Sequence, residues 1–362
     1  MPDVLIHGDT VRSPELRHEV PVAVPDPLLY AERNGSRHVV VSALEYERVR
    51  AVDGLEAHAV EDFGIDELLA QGTQRDEAEL EVYVRACREL GIGEALVPWT
   101  FPLALAERLR EAGIDVRPER DLFVRRRRVK TEAELAGIRR AQRACEAAMA
   151  SAKGMIGEGI TCEEIRAAIE RVFIDHEVFA DEIIVSHGAQ SAIGHEAGSG
   201  PIAAGEPVVI DLFPRDRASG CYADMTRTFV AGEPPDELVD WHGLVKRALD
   251  LGLGAIRPGV PGAEVHRLVC DLFHEHGHKT QLSKQPGEVL SEGFFHSLGH
   301  GVGLEVHEAP GLGRNGEELV AGDVVSVEPG LYRSGFGGCR LEDLVLVTED
   351  GCENLTDFPY EL

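Results

Sequence analysis

The chain has 362 residues, 43% of them hydrophobic and 28% charged, a balance that suits two globular domains with ample core. Its 64 acidic against 36 basic residues give a formal net charge of -28. That excludes nucleic acid as an expected partner, because phosphate binding needs basic surface, while a negative field attracts cations, metals included. The seven cysteines are an odd number with no C-x-x-C pair, so no disulfide framework is expected and a reducing cytoplasm fits. No apolar run approaches membrane-spanning length, and Met1–Asp9 carries neither a basic nor a long apolar region. Neither a membrane span nor a signal peptide is therefore expected.

Residues 1–128 read as a small α/β domain. His38–Ser42 is an apolar stretch of strand character. Apolar residues at three- and four-residue spacing predict helices over 77–90 and 102–112, with Gly91 and Gly113 where helix ends would put them. The histidines His7, His18, His38 and His58 are scattered, and each reads as structural or surface. The basic run Arg125–Lys130 is too short in so acidic a chain for a nucleic-acid patch, and reads as a solvated linker or interdomain contact.

The second domain, 129–362, opens on a capping box: Thr131 as N-cap, with Glu134 three residues on. A long helix is expected from there to about Lys153. A helix over 161–175, capped by Thr161, and a strand pair near 206–230 follow. Helices over 235–256 and 262–276 and a strand pair near 323–348 then repeat the pattern. Two helices and a hairpin, twice over, imply a pseudo-twofold.

Each strand pair carries acids in apolar surroundings. Pro207–Phe213 is apolar but for Asp211, and the chain returns through Asp224. A regular hairpin centred between Arg217 and Ala218 places Asp211 opposite Asp224, with Cβ atoms about 5 Å apart. Carboxylates that close repel unless a cation or proton lies between them. In the second pair, Val324–Val327 leads into Glu328, and Arg340 and Glu342 lie on the return. A hairpin centred on Gly335 places Glu328 opposite Glu342, with Arg340 on the same face as Glu342. Pro329 cannot donate to a ladder, so the strand should end or bulge there.

Between the hairpins, His296–His307 packs three histidines (His296, His300, His307) into twelve residues with three glycines. Two Asp, two Glu and one His form an oxygen-rich shell that suits Mn²⁺, Zn²⁺, Co²⁺ or Fe²⁺, and a pair of ions better than one. Two ions about 3.5–4 Å apart can share a water and lower its pKa, so the chemistry implied is hydrolysis. A second histidine cluster, His274–His278, matches H-E-x-x-H. Gly277 sits there as a helix-ending glycine would, so His278 falls past the cap, and solvent-exposed histidines closing a helix are expected instead.

On these residues the sequence resembles the pita-bread metallopeptidases, in the branch of Xaa-Pro dipeptidases (prolidases) and Xaa-Pro aminopeptidases. The resemblance rests on His296–Glu308, Ile210–Thr228, Ser326–Leu331 and Gly338–Val347, and loosely on Val129–Leu362. It implies an α+β architecture: a C-terminal pita-bread domain with a pseudo-twofold and a smaller creatinase-like α/β N-terminal domain. It implies hydrolysis of Xaa-Pro bonds in dipeptides or short proline-containing peptides by a hydroxide bridging two divalent metal ions, Mn²⁺ foremost, in a homodimer. Asp211 would chelate one ion, Asp224 and Glu342 would bridge both, and His300 and Glu328 would hold the second. Glu328 would also be the general base. His307 and His296 would bind the scissile carbonyl, His195 would be the substrate histidine, and Arg340 would support Glu342. Creatinase-like hydrolases and binding modules of the same fold lose the metal ligands, whereas all five are present here.

Overall fold

Residues 2–127 are organised on one mixed sheet whose strands alternate apolar side chains between two faces. In the computed structural model, which describes residues 2–362, the strands are β1 (Asp3–Gly8), β2 (Leu28–Arg33), β3 (Ser36–Val41), β4 (Glu56–Ala59), β5 (Glu94–Val97) and β6 (Asp115–Pro118). They run in the order β4-β3-β2-β1-β5-β6. Val4, Ile6, Tyr30 and Val39 pack against α1 (Pro14–Glu19), α2 (Tyr46–Arg50) and α6 (Arg120–Arg128). Leu5, Leu29, Ala31 and Val40 pack on the other face, with α3 (Ile65–Ala70), α4 (Arg75–Glu89) and α5 (Leu103–Glu111). The helices expected over 77–90 and 102–112 are α4 and α5, and Gly91 and Gly113 follow them at φ 74° and 84°.

The basic run is not a solvated linker. Its first four residues are the last turn of α6. Arg126 sits between Glu19 at 2.9 Å and Glu32 at 2.7 Å, and Arg127 is only 7% exposed.

The second unit begins at Arg128. Its first half comprises α7 (Glu132–Lys153), α8 (Cys162–Asp175), β7 (Val178–Phe179), β8 (Ile184–His187), β9 (Pro207–Leu212), β10 (Arg215–Asp216) and β11 (Met225–Val230). The capping box on α7 is present: the Thr131 N–H donates to Glu134 Oε2 at 2.8 Å, and the Glu134 N–H donates to Thr131 Oγ1 at 3.2 Å. Thr161 and Glu164 repeat it on α8. Buried Ile138, Ala141, Cys145, Ala148 and Ala152 form the apolar stripe of α7, which shares a core with β9 and β11.

The second half comprises α9 (Asp236–Ala255), α10 (Gly262–Glu275), β12 (Glu292–Gly293), β13 (Gly299–Gly301), β14 (Glu308–Leu312), β15 (Val324–Val327), β16 (Gly330–Arg333), β17 (Gly337–Arg340), β18 (Asp343–Val347) and β19 (Cys352–Asn354). It has its own core between α9, α10 and the strands β15 and β18. The helix pair and hairpin thus occur twice, as the echo in the sequence implies, and this is the pita-bread architecture.

Two details of pairing position the acids. In the first hairpin Asp211 faces Thr226 rather than Asp224. The register is constant through the Arg215–Tyr222 bridge, so the turn is centred between Ala218 and Ser219, one residue later than expected. The continuous ladder ends at Leu212 and Met225, and Arg215 also pairs with Phe179 on β7. Asp224 is therefore two residues further along β11's line, still on the face of Thr226. In the second hairpin one register holds throughout: Val327 faces Asp343 and Gly330 faces Arg340. Glu328 is level with Glu342 in that register, but the ladder is broken there, where Pro329 has no N–H to give. The strands consequently divide between two sheets, β14-β13-β15-β18-β19 and β12-β16-β17. The freed Glu328 N–H donates to the Leu298 carbonyl at 2.7 Å, and the Glu342 N–H to the Thr226 carbonyl at 3.0 Å.

At the end of α10, Gly277 has φ 86° and His278 lies beyond the cap. His274 and His276 are exposed as expected, but His278 is half buried, its ring edge-on to Trp241 at 6.1 Å.

Candidate metal centre

All nine residues singled out in the sequence line a single cavity of about 720 Å³ in the second unit. Asp211 comes from β9, Asp224 from the residue before β11, His300 from β13, Glu328 from the break after β15, Arg340 from β17 and Glu342 from the break before β18. His195, His296 and His307 come from loops.

His300 is oriented by its backbone. Its Nδ1 lies 3.1 Å from the Gly301 carbonyl oxygen, which can only accept, so the proton sits on Nδ1. The lone pair of Nε2 is left toward Asp224 Oδ2 at 3.6 Å and Glu328 Oε1 at 3.5 Å. Burial, then His307, lowers the His300 pKa to about 3. The ring is a neutral ligand at any ordinary pH. Gly299 brings β13 against β15: a Cβ there would meet the Ser326 carbonyl oxygen. Gly299→Ala is expected to cost about 1–3 kcal/mol of stability through overpacking, and to weaken metal binding by displacing His300. Thermal unfolding and a metal titration check the two effects.

The carboxylates repel one another in a dry site. Burial first, then Glu342 and Asp211, push Asp224 well above the usual carboxylate range. Glu328 is raised likewise by burial and Glu342. Glu342 is raised to about 7 by burial and Asp211, despite a 2.7 Å hydrogen bond from Thr226 Oγ1.

Arg340 is 5% exposed and donates from three nitrogens: Nη2 to Asp211 Oδ2 at 2.5 Å, Nε to Thr226 Oγ1 at 3.1 Å, and Nη1 to the Tyr332 hydroxyl at 3.1 Å. The Tyr332 hydroxyl lies 3.0 Å from His296 Nε2, and His296 Nδ1 lies 2.8 Å from the Ser297 carbonyl oxygen. Both nitrogens of His296 are thus engaged, and burial, then Arg340, keeps the ring neutral with a pKa of about 3. His307 stacks edge-on to His300 at 4.2 Å and is exposed to the cavity, as is His195. Tyr332 and Thr226 belong to this network and were not singled out in the sequence. Period two places Tyr332 on the face of Glu328 and Thr226 on that of Asp224, the one signal that could have found them.

The donor set fits metal ions. One ligand atom each from Asp224, His300 and Glu342 lies within 4.8 Å of the others. Asp211 Oδ1 is buried without a hydrogen-bond partner, an arrangement that is costly unless a cation faces it. Four ionised carboxylates against one guanidinium leave a formal charge of -3 (-4 + 1), which one divalent ion does not neutralise.

A pita-bread unit with clustered acids and histidine at its centre defines a metallopeptidase class, and residues 136–349 match Metallopeptidase family M24. The chain belongs to that family, within its prolidase/Xaa-Pro peptidase branch. It is 34% identical over 245 residues to the probable dipeptidase PepE of Mycobacterium tuberculosis, a match covering 67% of this chain and 62% of the length of that relative. It superposes on the prolidase from Pyrococcus horikoshii OT3 with a TM-score of 0.81 at 25% identity, covering 99% of this chain and 95% of that one. The X-Pro aminopeptidase from Thermotoga maritima gives 0.79 at 26% identity, covering 100% and 96%.

Proposed function

We propose that the protein is a dinuclear metal-dependent peptidase hydrolysing Xaa-Pro bonds in dipeptides or short peptides. The observation that carries this is the convergence of Asp211, Asp224, His300, Glu328 and Glu342 on one cavity, with a buried carboxylate oxygen lacking any partner. These five residues would hold two divalent ions, Mn²⁺ foremost. Bound there, the ions supply Lewis acidity and a water of lowered pKa.

The chain's own groups do the rest. Glu328, whose carboxyl is raised by burial, takes the proton of the attacking water and returns it to the departing proline nitrogen. His307 and His195, open to the cavity, bind the substrate carbonyl and stabilise its developing negative charge. His296 joins them only if it exchanges its Tyr332 hydrogen bond; in this arrangement it orients Tyr332 and Arg340. Arg340 fixes one Asp211 oxygen and leaves the other for an ion. The same reading takes a homodimer as the assembly and the cytoplasm as its place. The seven free cysteines, six of them buried, are compatible with a reducing compartment, and no helix among the described residues is long and apolar enough to cross a membrane.

Enzyme stripped of metal and reloaded with Mn²⁺ is expected to release proline from a Xaa-Pro dipeptide, or the first residue from a Xaa-Pro-Yaa tripeptide. Cleavage of the dipeptide alone makes it a prolidase, and cleavage of the tripeptide an aminopeptidase. Metal-dependent cleavage of neither overturns the Xaa-Pro reading.

Metal affinity is expected to fall as pH drops through about 7, where Glu342 takes up a proton. Each proton displaced by an ion costs about tenfold in affinity per pH unit. His300, neutral above about 3, contributes nothing to this slope. Competition titrations with a chelator between pH 6 and 8 measure it.

A further inference from the structure

The first unit holds a second cluster of metal-type donors, at the edge of its sheet. Strands β3 and β4 are parallel, with His38 level with Glu56 and Val40 with His58. Glu56 and His58, two residues apart, share one face of β4, and His38 sits beside both on β3. His38 Nδ1 is 3.2 Å from His58 Nε2 and 3.4 Å from Glu56 Oε2. One ligand atom from each of the three lies within 4.8 Å of the others.

Those separations match a coordination sphere. Ligands at about 2.0–2.1 Å from a tetrahedral ion lie about 3.3–3.4 Å from each other. Two imidazole nitrogens and a carboxylate oxygen suit Zn²⁺ among the common divalent ions. A hydrogen bond between the two rings accounts for the 3.2 Å contact alone; it does not account for the carboxylate closing on the same nitrogen. Burial, opposed by Glu56 and helped by His58, lowers the His38 pKa, so that ring is neutral and ready to ligate at pH 7. The Phe63 ring lies 6.0 Å from that of His58 and holds its orientation. The Glu56 side chain is 63% exposed and that of His38 13%, so an ion can enter from solvent and keep a water in the fourth position. Strand β4 ends the sheet.

We propose that His38, Glu56 and His58 form a Zn²⁺ site in the first unit, independent of the peptidase centre, which ties the edge strand β4 to β3. Metal-depleted full-length protein titrated with Zn²⁺ against a chromophoric chelator tests it. His38→Ala and His58→Ala are each expected to bind one Zn²⁺ fewer per chain than wild type, with hydrolysis after Mn²⁺ reloading unchanged. Glu56→Gln is expected to weaken that ion at least about tenfold. A second measurement needs no variant: Zn²⁺ should protect His38 and His58 in the wild-type chain from acylation by diethylpyrocarbonate, read peptide by peptide by mass spectrometry. Equal stoichiometry in wild type and both histidine variants, or acylation of these two residues unchanged by Zn²⁺, overturns the proposal. Should the alanine variants fail to fold, the protection experiment decides alone.

Discussion

Glu342→Gln is expected to lower kcat/KM by at least on the order of 10³ while raising the melting temperature of the metal-free protein. The two effects have one cause. Glutamine keeps the shape of Glu342, its N–H bond to the Thr226 carbonyl and a partner for the Thr226 hydroxyl. What it removes is a charge facing Asp211 and Asp224, which an ion needs and the metal-free fold must tolerate. The sign follows from linkage. The folded pKa of Glu342, about 7, lies above the ordinary glutamate value of 4.5. The metal-free wild type therefore loses stability as pH rises from about 4.5 through 7, and carries the full penalty above it. The variant escapes that penalty. Its advantage should be present at pH 8 and absent near pH 3, well below the ordinary glutamate value, where Glu342 is neutral in both states. Thermal unfolding of both metal-free proteins at the two pH values, beside steady-state kinetics with Mn²⁺, measures it. A variant less stable at pH 8 would show that Glu342 acts through packing.

Arg227→Ala should destabilise the second unit by about 3–5 kcal/mol, the range for orphaning one partner of a buried ion pair. Arg227 is fully buried on β11 and is among the largest side chains in the core. Its Nη2 bonds Asp343 Oδ1 at 2.9 Å and the Phe358 carbonyl at 3.0 Å. Nη1 bonds the carbonyls of Thr226 at 2.9 Å and Glu342 at 2.6 Å, and Nε that of Pro359 at 3.1 Å. The guanidinium also lies 4.5 Å from the Tyr360 ring. Alanine leaves Asp343, itself fully buried, with only Asn354 and Tyr360 as hydrogen-bond donors. A fall of roughly 10 °C in melting temperature is expected, with faster proteolysis beyond Leu355. Arg227→Leu combined with Asp343→Leu should recover part of the loss, because no charge is then stranded. If the double variant is no better than the single one, the packing of the C-terminal segment matters more than the charge.

The helices were legible because their signals are local. Thr131 and Thr161 cap them, Gly91 and Gly277 end them, and α7 buries a regular stripe. The break at Pro329 was legible for the same reason. The pairing of Asp211 was not, because the turn is centred one residue later than the sequence suggests, between Ala218 and Ser219, where the Ser219 N–H and hydroxyl bond the Asp216 carboxylate. Helix α6 was hidden by its own composition: only Leu122, Phe123 and Val124 are apolar among nine residues, and three of the arginines that read as solvated are paired, Arg126 with Glu19 and Glu32, Arg127 with Glu15 and Arg128 with Asp323. The donor set stood out as charge in apolar strands, a pattern that costs free energy unless a ligand repays it. Tyr332 carries no such mark. A tyrosine in an apolar strand reads as core, and only Arg340 and His296 on either side of its hydroxyl give it a role.

The gap in the second hairpin bears on how the unit comes apart. Glu328 and Glu342 are released from each other's ladder, and Glu342 is tied instead to Thr226, which belongs to the first half. Asp211 and Asp224 come from that half, and the remaining three donors from the second. Neither half carries the five proposed donors by itself, so a fragment or a half-folded intermediate lacks the complete set. On the proposed ligand set, capture of both ions reports that the two halves have docked.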